Sequence, residues 1–153
     1  MIKMDRVYID TSVVGGCLDK EFEVDSNAFF IQAKRGKFIL LLSDILRLEM
    51  EGAPKKVKEK FIEIQNYQYE AISLTLEAIA LADRYIAENA VALKSLSDAR
   101  HIALATINRA DVLVSWNFKH IVNYKRIHLF NAVNKKYGYP EIEIRSPKEV
   151  IYE

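Results

Sequence analysis

Apolar residues fall along this chain in two rhythms. Three short β-type runs, Arg6 to Ile9, Phe38 to Leu42 and Val112 to Trp116, are each followed directly by a turn, cap or polar signal. Longer stretches between them carry apolar positions at helical spacing. The pattern predicts helices over about residues 25–35 and 44–52, and Pro54 stands where it would start a third, basic helix reaching about Gln65. Leu76, Ile79, Ala80, Ala82 and Ile86 predict a helix over Thr75 to Glu88, and Ile102, Ala103, Ala105 and Ile107 predict another over Asp98 to Arg109. Tyr124 to Tyr137 reads as a last helix stopped by Gly138 before Pro140, and Ile142-Glu143-Ile144 alternates like a late strand. The aromatic residues between Tyr67 and Tyr85 read as packing. Strands separated by helices predict an α/β domain whose central parallel sheet is covered on both faces.

Composition narrows this picture. The chain has 153 residues, half of them apolar, which is enough for one compact domain over 1–153 and too short for two. Its 22 Lys and Arg against 21 Asp and Glu leave a formal charge of +1, so any attraction to phosphate has to come from local patches. Cys17 is the only cysteine, which excludes an intrachain disulfide. No signal peptide is evident, and no stretch reaches the length of about 18 apolar residues needed to span a bilayer. A soluble cytoplasmic protein is expected, with no membrane association.

Four oxygen-bearing side chains stand at the ends of these segments: Asp10, Glu49, Asp98 and Asn117. At about 100° per residue, Glu49 falls at the centre of the arc made by Ile45, Leu46, Leu48 and Met50, with Arg47 and Glu51 on the other side. A carboxylate in an apolar stripe is costly to desolvate without a cation, a donor or a proton, so Glu49 is a site candidate. Asp10 and Asn117 each follow a predicted strand, and ligands gather outside the carboxyl ends of parallel strands. Each position also has a structural reading. Asp10-Thr11-Ser12 can cap a strand-to-helix junction, Ser95-Leu96-Ser97-Asp98 matches a capping box, and Asn117 can cap the segment Phe118 to Val122. Taken together, hard oxygen ligands in one cleft suit Mg²⁺ or Mn²⁺ and metal-assisted phosphodiester cleavage.

The order of Asp10-Thr11-Ser12, then Ser43 and Glu49, then Asp98-x-x-His101-Ile102-Ala103, then Leu113-Val114-Ser115-Trp116-Asn117-Phe118 resembles a PIN domain of the VapC-like kind over nearly the whole chain. The resemblance implies a three-layer α/β/α nuclease fold that uses Mg²⁺ or Mn²⁺ to cut RNA, often as the toxin of a type II toxin-antitoxin pair. It also implies that Asp10, Glu49 and Asp98 hold the metal, with Asn117 assisting it or its water. The family commonly has an aspartate where this chain has Asn117, which opens a second reading: a catalytically weak or inactive PIN scaffold that binds RNA or a partner protein. A phosphatase with Asp10 as nucleophile is disfavoured, because position 12 is serine where an Asp-x-Asp loop would place its second aspartate.

Thr11, Ser12, His101 and Ser115 are expected to support these ligands, with ordinary capping as the alternative for the hydroxyls. Lys119, His120, Lys125 and Arg126 follow Asn117 and are the expected RNA phosphate contacts, whereas the lysines of the third helix read as a solvated face. A small antitoxin protein and a homodimer are the expected partners besides RNA. The late strand followed by Pro147 is a candidate edge for such pairing.

Overall fold

Val7, Tyr8 and Ile9 have no solvent-exposed surface, and their place in the sheet explains why. The computed structural model describes residues 3–151, so residues 1, 2, 152 and 153 of the expected domain lie outside the described residues. Within them five strands form one sheet in the order β3-β2-β1-β4-β5: β1 (Arg6–Ile9), β2 (Ile39–Ser43), β3 (Tyr69–Ile72), β4 (Val112–Val114) and β5 (Ile144–Arg145). Every pair is parallel, with Tyr8 opposite Leu41 on one side and Leu113 on the other. Strands buried on both faces need apolar residues at every position, which is why β1, β2 and β4 read as uninterrupted runs.

Successive side chains point to opposite faces and divide the core in two. On one face Val7, Ile9, Leu40, Leu42, Val112 and Val114 pack against α1 (Thr11–Gly16), α2 (Glu23–Lys34), α3 (Asp44–Glu51) and α4 (Lys55–Ile64), largely through Phe29, Phe30, Leu46 and Phe61. On the other, Tyr8, Leu41, Leu113 and Ile144 meet α5 (Leu76–Ala87), α6 (Leu96–Ile107) and α7 (Tyr124–Lys136) through Leu81, Tyr85, Ile102 and Phe130. Each such buried side chain contributes roughly 1.5–3 kcal/mol. The three-layer α/β/α arrangement expected from the sequence is the fold of this chain.

Four details differ from the sequence expectation. The strand β3 was read as packing; it is an edge strand with two half-exposed residues and one exposed, so its apolar signal is weak. Helix α1 was not predicted, because Gly15 and Gly16 give its six residues poor propensity, yet Asp10 caps it. Helix α6 begins at Leu96, which moves Asp98 from the helix start into the first turn, and the Ser95 side chain makes no capping bond. Ile142 and Ile144 are both buried, as their alternation implies, but strand pairing is confined to Ile144–Arg145. Gly138 ends α7 as expected, with φ of 81° that few other residues adopt.

The chain runs from β1 outward to β2 and β3, then crosses to β4 and β5 on the other side. The carboxyl ends of β1 and β4 therefore flank the point where the strand order reverses, the position at which open α/β sheets form a crevice.

Candidate functional site

Asp10 leaves β1 at this crevice and caps α1. Its Oδ1 accepts from the Ser12 amide at 3.1 Å and from Ser12 Oγ at 2.6 Å, and its Oδ2 accepts from Ser115 Oγ at 2.5 Å. Ser115 and Ser12 thus lock the carboxylate from the ends of two adjacent strands, and Ser12 Oγ accepts in turn from the Trp116 amide at 2.9 Å. Asp10 is only 4% exposed. Burial pushes its carboxyl above the usual range and the charge of Glu49 adds to the rise, while His101 and the two serine hydroxyls pull it down without cancelling the effect.

Glu49 departs from the expectation of an apolar stripe. Only Leu46 and Met50 of the expected arc are buried; Leu48 is 66% exposed. Helix α3 packs on the sheet with one side and leaves the other to solvent, so Glu49 sits at the rim with 35% of its side chain exposed. Its Oε1 accepts from Thr11 Oγ1 at 2.8 Å and pairs with His101 Nε2 at 2.7 Å, and its Oε2 accepts from Ser97 Oγ at 3.3 Å. Partial burial pushes the carboxyl up, but these donors and the charge of His101 outweigh it and hold Glu49 below its usual range.

His101 is 2% exposed and lies on the buried side of α6, with its Nδ1 atom 2.7 Å from the Tyr8 hydroxyl. The sequence spacing placed it near Asp98, and the two do interact through charge; its hydrogen bonds, however, go to Glu49 and Tyr8. Tyr8 was missed, because a tyrosine inside an apolar strand gives no sign of which face its hydroxyl reaches. Ser97 was missed as a Glu49 donor for the same reason: it was read only as part of a capping box.

Asp98 accepts from Asn117 Nδ2 at 3.3 Å. Burial raises its carboxyl first and the Asp10 charge raises it further, with His101 and His120 opposing. The other end of Asn117 serves the backbone: Oδ1 accepts from the His120 amide at 3.0 Å, the capping role that its position in the sequence also suggested. Among the basic candidates, Lys119 and Lys125 are exposed, whereas Arg126 is tied to the Ala90 carbonyl at 2.9 Å. His120 lies near Asp98, and its buried Nδ1 has no hydrogen-bond partner.

Asp10, Glu49 and Asp98 therefore face one crevice, where the charge of Glu49 acts on Asp10 and the charges of Asp10 and Glu49 act on Asp98. Neither Asp10 nor Asp98 has a lysine or arginine in ion-pairing range among the described residues. Hard carboxylate oxygens, opposed here only by His101 and His120 and by neutral donors, are the donor chemistry that Mg²⁺ and Mn²⁺ require. Among the described residues, no three His, Cys, Asp or Glu side chains are closed around a common point. Glu49 is instead turned toward His101 and Thr11.

The fold around this crevice is a three-layer α/β/α domain with an all-parallel sheet. The chain is similar to a chain in the crystal structure of VapBC2 from Rickettsia felis bound to a DNA fragment from their promoter, with a TM-score of 0.57 and 14% identity, covering 92% of this chain and 98% of that one. At that identity the likeness is one of fold. No family model and no curated protein matches the sequence. No helix among the described residues is long and apolar enough to cross a membrane.

Proposed function

We propose that this chain is an endoribonuclease dependent on Mg²⁺ or Mn²⁺ that acts as the toxin of a toxin-antitoxin pair. The observation that carries the reading is the meeting of Asp10, Glu49 and Asp98 at the sheet's reversal point, where His101 acts on all three and none of them has a lysine or arginine ion pair among the described residues. The likeness to a VapBC2 chain supports the same class, and with it an antitoxin partner. Asp10, Asp98 and Glu49 would hold the ion. Bound there, it supplies charge neutralisation for the carboxylates and the scissile phosphate, and it acidifies water.

The chain's own residues set the stage for this chemistry. Ser12 and Ser115 fix both oxygens of Asp10, and Tyr8 and His101 act as a buried strut that positions Glu49. Asn117 orients Asp98 through its amide nitrogen. Lys119 and Lys125 follow Asn117 in the chain, are exposed and would attract phosphate, and His120 acts on the charge of Asp98.

The test is cleavage of single-stranded RNA by purified protein. Activity is expected with Mn²⁺ or Mg²⁺, loss with EDTA, and loss in Asp10→Asn with its circular dichroism unchanged; full activity in Asp10→Asn refutes the assignment. One observation favours a second reading. Asn117 spends both ends of its amide on Asp98 and the His120 backbone, where the family would place a charge. A scaffold that binds RNA or a partner without cutting would fail to take up Mn²⁺ at millimolar concentration in calorimetry.

A further inference from the structure

A pocket of about 970 Å³ opens beside the crevice and shares Ser12 and Asn117 with it. Its aromatic wall is the half-buried Phe22, whose ring is backed by the buried Trp116, stacked with ring centroids 4.3 Å apart and planes 19° from parallel. Lys55 and Lys56, in the first turn of α4, stand on its rim. Both are exposed, and neither has an ion-pair partner among the described residues.

Its floor contains two adjacent glycines that differ in what they do. A Cβ on Gly16 would lie 2.5 Å from Ser26 Oγ and 2.7 Å from Trp116 Nε1, so the packing of Trp116 requires glycine there. A Cβ on Gly15 would meet nothing within 4 Å. Gly15 also lies inside a helix without positive φ, where glycine costs stability relative to alanine. Internal packing gives no reason for glycine at this position. Its effect is on the outside: it leaves the pocket open over the backbone of α1, where a bound group could approach closely.

We infer that this pocket is a subsite for an unpaired nucleobase of single-stranded RNA, seated over Gly15 against the Phe22–Trp116 pair, with Lys55 and Lys56 holding a neighbouring phosphate. The proposal rests on the ribonuclease reading and names how its substrate is gripped. A base is flat and apolar on its faces and is tethered to an anion, which matches an aromatic wall with two unpaired ammonium groups at its edge. Volumes of this order suit a small planar group with part of its chain. Adjacency to Ser12 and Asn117 puts such a base within a short stretch of strand from the crevice.

Fluorescence anisotropy in EDTA tests this without turnover, using a fluorescein-labelled oligouridylate and a ribose-phosphate chain of equal length without bases. The parent protein is expected to prefer the base-bearing strand at least about fivefold, the lower end of what one stacked base contributes. Gly15→Leu puts an isobutyl group over the α1 backbone where the base would sit, and Phe22→Leu removes the aromatic face while keeping apolar bulk; each is expected to bring that preference close to one. Lys55→Ala with Lys56→Ala is expected to weaken both strands alike. Absence of base preference in the parent, or its persistence in a folded Gly15→Leu protein, overturns the proposal. So does a Gly15→Leu protein that loses a protein partner or a dimeric state while keeping the preference, since the pocket is then a protein interface. A parent that prefers bases yet never cleaves with Mn²⁺ or Mg²⁺ overturns the nuclease reading and upholds the subsite.

Discussion

Adding one methyl group at either of two neighbouring positions in α1 is expected to change stability in opposite directions. Gly16→Ala gains about 1 kcal/mol of helix propensity. Against this, its Cβ would sit 2.5 Å from Ser26 Oγ, 2.7 Å from Trp116 Nε1 and 2.9 Å from Trp116 Cδ1. Forcing a methyl into so close a contact costs roughly 1–3 kcal/mol. Moving Trp116 also strains its 2.7 Å hydrogen bond to Ser26 Oγ, which itself donates to the Val13 carbonyl at 2.9 Å. A buried donor left unpaired costs about 1–3 kcal/mol more. The net loss is about 1–5 kcal/mol, against a gain of up to about 1 kcal/mol for Gly15→Ala, whose methyl meets nothing. Urea unfolding read by fluorescence measures both, because Trp116 is the only tryptophan and lies at the contact itself. Each kcal/mol corresponds to about 2–4 °C in Tm for a domain of this size. A Gly16→Ala protein as stable as its parent, with unchanged emission, would refute the packing argument.

Two further outcomes follow from the crevice. Asp98 titrates above its unfolded value, so its ionisation costs folding free energy: the benefit of the protonated group is complete in acid and is lost as pH rises through the folded-state pKa. In metal-free buffer Asp98→Asn is therefore expected to be more stable than the parent at neutral pH, with the difference vanishing in acid, as urea midpoints at the two conditions will show. His101→Ala removes the partner of the buried Tyr8 hydroxyl and the strut behind Glu49. A loss of about 1–3 kcal/mol in urea unfolding is expected, and His101→Gln should restore part of it together with part of the cleavage rate.

The middle of the sheet was legible because its physics is one-dimensional. Strands buried on both faces must be apolar throughout, and the runs at Val7, Leu40 and Val112 satisfy this whatever surrounds them. The edge strand β3 escaped because Glu70 spends its charge on Arg6, at 2.8 and 3.0 Å, a partner 64 residues away. The order of the four oxygen-bearing residues points to one crevice, and Asp98 does feel the charges of Asp10 and Glu49, though no three such side chains among the described residues close around a common point. The burial of Glu49 was not legible: α3 buries Leu46 and Met50 but leaves Leu48 66% exposed, because the face a helix buries is set by its neighbours. Lys55 and Lys56 are exposed, as the solvated-face reading expects, but nothing in the local sequence places α4 beside α1.

The bond from Ser115 to Asp10 joins residues 105 positions apart. Asp10 and Glu49 come early in the sequence, Asp98 follows on α6, and Ser115 and Asn117 arrive after β4. During synthesis the earlier strands can pair and pack while the crevice still lacks one wall, since long-range strand pairing must wait for its partner to emerge. A ribosome would deliver Asn117, the last of these residues, more than a hundred residues after Asp10. Pairing of β4 with β1 thus sets the earliest moment at which the site can act.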